Sequence, residues 1–284
     1  MTVSSLWYDG NLFDASLNYQ AYLENQDTMK PDYNINEPTC AELIKTVALG
    51  TKAFFTYSPN EQIIKRKIGK MIKKNPKNIT KEETEANKDA AEKLLIEEEN
   101  QKPVQARHTE GDASESGLIK FIQPIEDLNS IRGKYPIYSY KEKADSGEIS
   151  TIQCEIPFNS FKKYNLIIRD LIVDQGKQSY LVIMKGAPER IWGRCDKILN
   201  HGKAETITEY WNKKFYEAND IIGKNGERVL AFASTYLSVE QFPRDSKFVM
   251  KEELKNFPME NLTFIGLVAL NDPPRVYVDQ SVLK

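Results

Sequence analysis

At 284 residues, 40% of them hydrophobic and 10% aromatic, the chain has apolar material for one large core or two small ones, which excludes a disordered polymer. Its formal net charge of -2 lacks the basic excess that a general nucleic-acid binder carries on one face, so no nucleic-acid partner is expected. Cys40, Cys154 and Cys195 are odd in number, scattered and without metal spacing; no disulfide framework or metal site is expected, and a reducing, cytosolic setting is.

Thr2 to Ala15 reads as a hairpin, with Val3–Tyr8 and Asn11–Phe13 about Asp9-Gly10, the dipeptide that best tolerates the positive φ of a tight turn. Residues 16–37 are polar and read as a loop, after which Cys40 to Leu49 carries helical spacing at Leu43, Val47 and Ile44, Ala48. The texture changes between Pro59 and about Thr109. A basic block, Lys65-Arg66-Lys67 through Lys73-Lys74, precedes an acidic one, Glu82-Glu83 through Glu97-Glu98-Glu99, and residues 59–109 read as a charged, solvated, flexible insertion. Within it Ile64, Ile68, Met71 and Ile72 can line one face of a basic amphipathic helix of the kind that rests on a membrane or binds calmodulin.

Asp112 is placed as an N-cap and Glu115, three residues on, completes a capping box for the segment Gly117–Ile122. Thr151–Phe158, Tyr164–Ile168 and a strand ending at Lys185, with a turn near Asp174-Gln175-Gly176-Lys177, read as a three-stranded meander. The apolar run Leu181–Met184 thus delivers Lys185 to the sheet end; Gly186 leaves the backbone open to a flat ligand, and Pro188 suits the first helical position. Thr206-Ile207-Thr208-Glu209 reads as a second capping box, for a helix from Tyr210 to Ile222 with Trp211, Phe215 and Ala218 on one side and Gly223 and Gly226 at its end. Arg228–Tyr236 and Thr263–Leu270 read as strands, the second stopped by Pro273-Pro274. The class expected is α+β, a mostly antiparallel twisted sheet flanked by helices. The apolar run Leu262–Leu270 is about half the ~20 residues of a membrane span, so none is expected, and residues 1–5 lack the basic start and apolar stretch of a signal peptide.

A nucleotide site needs a stacking ring, groups for the base edge and cations aimed at phosphate. Phe158, after Pro157 at a strand end, can leave the core and stack; Lys163 and Lys185, from neighbouring strands, can converge on one pocket; Arg228 can fork to phosphate oxygens; Glu115 can accept from an exocyclic amine. The plainer alternatives are a core phenylalanine, solvated lysines and acids that only cap a helix. No Walker loop and no Gly-x-Gly-x-x-Gly occurs.

Lys185-Gly186-Ala187-Pro188-Glu189-Arg190 resembles the nucleotide-domain signature of the P-type cation-transporting ATPases. In the family's order, Gly111 to Ser116, Pro157-Phe158-Asn159-Ser160 with Lys163-Tyr164, Gly226 to Leu230 and Asp272-Pro273-Pro274-Arg275 resemble motifs of its type II pumps, most of all the sodium/potassium type. The resemblance implies a nucleotide-binding domain over residues 1–270 and, over 271–284, a hinge and the start of a phosphorylation domain. It implies ATP bound by Glu115, Phe158, Lys163, Asn165, Lys185, Gly186 and Arg228, Mg2+ in the full-length pump, and a γ-phosphate presented to an aspartate on the phosphorylation domain. As partners it implies that domain, an actuator domain and a beta subunit; as location, the cytoplasmic face of a membrane. Asn165 stands where the family usually has Gln, and Phe161-Lys162 where it usually has small polar residues, so base contacts are expected to differ. The Asp-Lys-Thr-Gly-Thr, Thr-Gly-Asp and Gly-Asp-Gly motifs are absent, so this chain alone is expected to be catalytically inactive and Met1 to be an internal residue of a longer protein. A second reading is a stand-alone interaction module that keeps the fold and binds a partner through its basic insertion.

Overall fold

The computed structural model describes residues 1–16, 31–57, 81–143, 147–171 and 178–272. The chain divides into two compact units, Met1–Lys52 with Gly117–Lys284, and Ala53–Ser116. In chain order the strands and helices are β1 (Thr2–Tyr8), β2 (Asn11–Asp14), α1 (Pro38–Gly50), β3 (Phe54–Phe55), α2 (Lys81–Asn100), β4 (Thr109–Glu110), α3 (Ala113–Ile122), α4 (Leu128–Lys134), β5 (Ser139–Lys143), β6 (Ile149–Gln153), β7 (Glu155–Ile156), β8 (Tyr164–Asp170), β9 (Gln178–Gly186), α5 (Pro188–Trp192), β10 (Cys195–Asn200), β11 (Lys203–Thr206), α6 (Glu209–Lys224), β12 (Arg228–Ser238) and β13 (Leu262–Asn271).

The larger unit is built on a nine-stranded sheet in the order β11-β10-β13-β12-β9-β8-β7, with the β1–β2 hairpin joined through β1 to β13. All its pairs are antiparallel except β10–β13, which run parallel. The expected α+β class is what forms. Alternate residues of the central strands serve opposite faces. Tyr164, Leu166 and Ile168 of β8 with Tyr180, Val182 and Met184 of β9 join the aromatic core under α5 and α6, where Trp192 stacks on Phe215 at 4.2 Å between centroids and Phe264 meets Trp192 edge-on at 4.8 Å. On the other face lies α1, which buries Leu43, Ile44, Val47 and Ala48 as its spacing predicted. A Cβ on Gly50 would stand 3.0 Å from Ile183 and 3.6 Å from Phe232.

The end of α1 is held by two arginines. Arg169, only 3% exposed, donates from Nε and Nη2 to the Leu49 carbonyl at 2.9 and 2.6 Å, and Arg132 donates to the carbonyls of Ala48 at 3.1 Å and Thr51 at 2.7 Å. They satisfy carbonyls that a last helical turn leaves over and place positive charge at the negative end of the helix dipole. Burial, reinforced by the charge of Arg132, lowers the Arg169 pKa to about 9.

In the unit Ala53–Ser116, β3 pairs with β4, and the Arg107 guanidinium lies 6.0 Å from the Phe55 ring centroid. The Glu99 carboxylate accepts from the Lys102 ammonium at 2.6 Å and the His108 amide at 2.7 Å, with His108 Nδ1 at 2.9 Å. Burial alone would raise this carboxyl, but those partners outweigh it and bring its pKa to about 2.

Several expectations are corrected. The strand expected over Thr151–Phe158 is two strands, because buried Cys154 donates to the Tyr138 carbonyl and accepts from the Ile168 amide; β6 then pairs with β5 in a separate ribbon while β7 joins the large sheet. Thr206 closes β11 instead of capping a helix: the N-cap of α6 is Thr208, with no side-chain cap hydrogen bond. The acidic part of the charged insertion is the 20-residue helix α2, whose Leu95 is buried. The basic segment Ile64–Ile72, the turn near Asp174, residues 17–30 and the segment from Pro273 onward lie outside the described residues.

Candidate functional site

Sheet register brings the candidate residues of the larger unit to one end of four adjacent strands. Tyr164, at the start of β8, opposes Gly186, at the end of β9; Asn165 opposes Lys185; and Gly186 in turn opposes Ala231 of β12. Lys163 precedes Tyr164, Phe158 lies two residues beyond Ile156 of β7, and Arg228 starts β12 three residues before Ala231. At about 4.8 Å per strand, β7-β8-β9-β12 spread these groups over about 15 Å.

Phe158 is 65% exposed, so it is no core residue, and Lys163 is exposed as well. Lys163 adopts the left-handed conformation at φ 59°, its amide donating to the Asn159 carbonyl at 2.7 Å and its carbonyl accepting from the Ala187 amide at 2.9 Å. Asn159 bends the turn: its Oδ1 accepts from the amides of Phe161 at 2.8 Å and Lys162 at 3.2 Å. The reason for Asn in Pro157-Phe158-Asn159-Ser160 is therefore an Asx turn that turns the Phe158 segment out of the sheet. Sequence reasoning passed over Asn159 as a positioning residue, although an Asn after an exposed ring is a turn signal.

Gly186 answers to its own chain. A Cβ there would stand 2.3 Å from the Lys163 carbonyl oxygen and 2.7 Å from the Tyr164 Cα, so the glycine is what lets the Lys163 turn dock on β9. Lys185, 7% exposed, lies in a row with Asn165 and Phe232 across three strands. Asn165 Oδ1 is buried without a hydrogen-bond partner. Arg228 is exposed. Glu115 belongs to the unit Ala53–Ser116, where its Oε2 accepts from the Ala53 amide at 2.9 Å and where Asp112 Oδ1 caps α3 by accepting from the amides of Ser114 and Glu115.

Below the turn, a carboxylate gathers cations. Glu252 Oε2 accepts from the Lys162 ammonium and Oε1 from the Tyr164 hydroxyl, while Arg194 Nη2 lies 3.6 Å from Oε1 and its guanidinium 4.7 Å from the Tyr164 ring centroid. The bonds from Lys162 and Tyr164 lower the Glu252 pKa, and burial together with Glu252 raises that of the Tyr164 hydroxyl.

Surface depressions of about 670, 390 and 300 Å³ lie elsewhere, lined respectively by the outer face of α6 around Tyr210 and Tyr216, by Glu42, Ser234 and Tyr236, and by Lys45, Glu126 and Tyr135. None of the three includes the sheet-end residues. A larger volume is not by itself a site; the sheet end differs from the three in bringing an exposed ring and several cationic residues to neighbouring strands. Among the described residues nothing groups three or more His, Cys, Asp or Glu side chains as a metal site. No described helix is long and apolar enough to cross a membrane.

Residues 86–277 match the family model described as P-type ATPase, cytoplasmic domain N. The chain is 37% identical over 192 residues to sodium/potassium-transporting ATPase subunit alpha-1 of Oreochromis mossambicus, covering 67% of this chain and 17% of the relative. It is 30% identical over 285 residues to potassium-transporting ATPase alpha chain 2 of Oryctolagus cuniculus, covering 100% of this chain and 20% of the relative, and 35% identical over 187 residues to sodium/potassium-transporting ATPase subunit alpha of Hydra vulgaris, covering 66% and 16%. It thus spans a small share of the length of these relatives.

Proposed function

Because this chain belongs to the family of P-type ATPase cytoplasmic N domains, we propose that it binds ATP at the sheet end, with the adenine on Phe158 and the phosphates drawn to Lys163, Lys185 and Arg228. One observation carries the reading: an aromatic ring 65% exposed shares the end of four adjacent strands with those cations. A base stacked on such a ring gains roughly 1–3 kcal/mol, and a lysine acts on phosphate as a compact point charge. Asn165 Oδ1, buried without a partner, is suited to accept a hydrogen bond from the base, and Gly186 serves by seating the Lys163 turn. Glu115 is assigned to the adenine amino group on the family resemblance alone.

In the whole pump this domain carries ATP to an aspartate on a separate phosphorylation domain at the cytoplasmic face of the membrane, working with an actuator domain and a beta subunit and with Mg2+ on the phosphates. Cation transport coupled to ATP hydrolysis, of the sodium/potassium type, belongs to that assembly; this chain contributes binding and orientation.

Titration of the 284-residue chain with a fluorescent ATP analogue tests the reading. Phe158→Ala and Lys185→Met should each weaken binding by roughly 1–3 kcal/mol, five- to 150-fold, with an unchanged circular dichroism spectrum. Wild-type affinity in both variants would sink the site.

A further inference from the structure

We infer that Glu252 is the positioning residue of the turn 157–163: it pulls Lys162 and Tyr164 to one side and so leaves Lys163 and Phe158 presented to the nucleotide. The inference rests on the proposed ATP site. Lys162 and Tyr164 are two residues apart, and both end on the same carboxylate. With its neighbours drawn inward, Lys163 between them remains exposed in a left-handed conformation. Among the other bonds of the turn, Asn159 closes it on itself, and the Lys163 carbonyl ties its end to Ala187, just past β9. Glu252 comes from a 3₁₀ turn, Glu252–Leu254, about ninety residues further along, and binds the turn to a distant part of the fold. Its side chain is only 21% exposed and is braced by Arg194, which also bonds the Glu260 carboxylate and the Met259 carbonyl.

Charge supports the assignment. The Lys162 ammonium is neutralised by Glu252 at contact distance, so its work is to tether, and the phosphate-directed cation of the pair is Lys163. This gives the test a sign. If Lys162 were a phosphate ligand held back by its partner, Glu252→Gln would free a cation and tighten ATP binding. If Glu252 positions the turn, the same change weakens it.

The experiment measures fluorescent ATP-analogue affinity, thermal melting and amide hydrogen exchange on the full chain for Glu252→Gln and, as a variant that keeps the Tyr164 and Arg194 contacts, Lys162→Met. Each should weaken binding about fivefold and speed exchange at Phe161, Lys162 and Lys163 while the melting temperature stays close to wild type. In a background that lacks both presented groups, Phe158→Ala with Lys163→Met, the effect of Glu252→Gln should shrink to less than about twofold, because the contacts it positions are already gone; a purely structural role would leave that effect undiminished. Unchanged or tighter binding, an undiminished effect in the doubly substituted background, or unchanged exchange overturns the proposal. A wild-type chain that binds no ATP overturns the nucleotide reading and the positioning role together, and faster exchange in Glu252→Gln would then identify Glu252 as a tether only.

Discussion

Phe158 and Lys185 differ about ninefold in exposure, 65% against 7%, and the difference sets how each responds to substitution. The ring already lies in solvent, so its removal takes away ligand contact and little else. The lysine is flanked by Asn165 and Phe232, so Met is the variant that keeps its stem in the row while removing the charge. Gly186 is the third kind of site residue, one whose value is what it leaves out. Gly186→Ala places a Cβ against the Lys163 carbonyl and the Tyr164 Cα, both backbone atoms, which a rotamer change cannot relieve. It should lose roughly 1–3 kcal/mol of stability in urea denaturation and weaken ATP as well, since the displaced turn carries Phe158 and Lys163; wild-type values in both would refute the close approach. The sequence singled out Gly186 as a place for a ligand to come near, whereas the space is filled by the chain itself. That contact joins residues over twenty positions apart, and no local pattern encodes it.

Elements whose patterns are self-contained were legible before the structure. The Asp9-Gly10 hairpin, the α1 face of Leu43, Ile44, Val47 and Ala48, and the Trp211-Phe215-Ala218 side of α6 follow from turn chemistry and periodicity alone. Elements fixed by a distant partner were not. The second capping box failed because Thr206 is taken up by pairing with Lys197 in β10, and the split at Cys154 is set by backbone bonds to Tyr138 and Ile168. The β10–β11 hairpin was missed although His201 and Gly202, at φ 45° and 76°, form a recognisable turn pair. The end of α1 depends on tertiary help, since its last turn carries no basic residue of its own. Arg169→Met strips the Leu49 carbonyl of both its guanidinium bonds inside the fold and should lower stability by about 3 kcal/mol in denaturant unfolding; a loss under about 0.5 kcal/mol would mean that the helix end is satisfied in another way.

On the function proposed here, the whole molecule holds nucleotide while the acceptor lies elsewhere. Phosphoryl transfer needs an in-line nucleophile and fixed metal ions within a fraction of an ångström of their working positions. Asp112 is engaged in capping α3, and the Asp272-Pro273-Pro274 stretch lacks the Lys-Thr-Gly-Thr continuation of the family's acceptor. Incubation with γ-labelled ATP followed by acid quenching should therefore leave no label on the protein, and an acid-stable, hydroxylamine-sensitive label would show a complete enzyme. The family motifs made this scale the most readable from sequence, while strand order stayed hidden, because β13, the last described strand, pairs with β1, β10 and β12 at once. Thr2 opposes Asn271, so the sheet joins the first and last described strands of the chain, a topology of high contact order. Its consequence concerns synthesis: of the strands it joins, β13 is made last. Until β13 emerges, β1, β10 and β12 each present an unpaired edge, and a growing chain must hold these strands apart from one another and from neighbours. A chain ended at Asn261 should accordingly show neither a cooperative melt nor ATP binding, and should aggregate on refolding where the full chain does not; a cooperative melt in light-scattering-free solution would show that the sheet can close without its last strand.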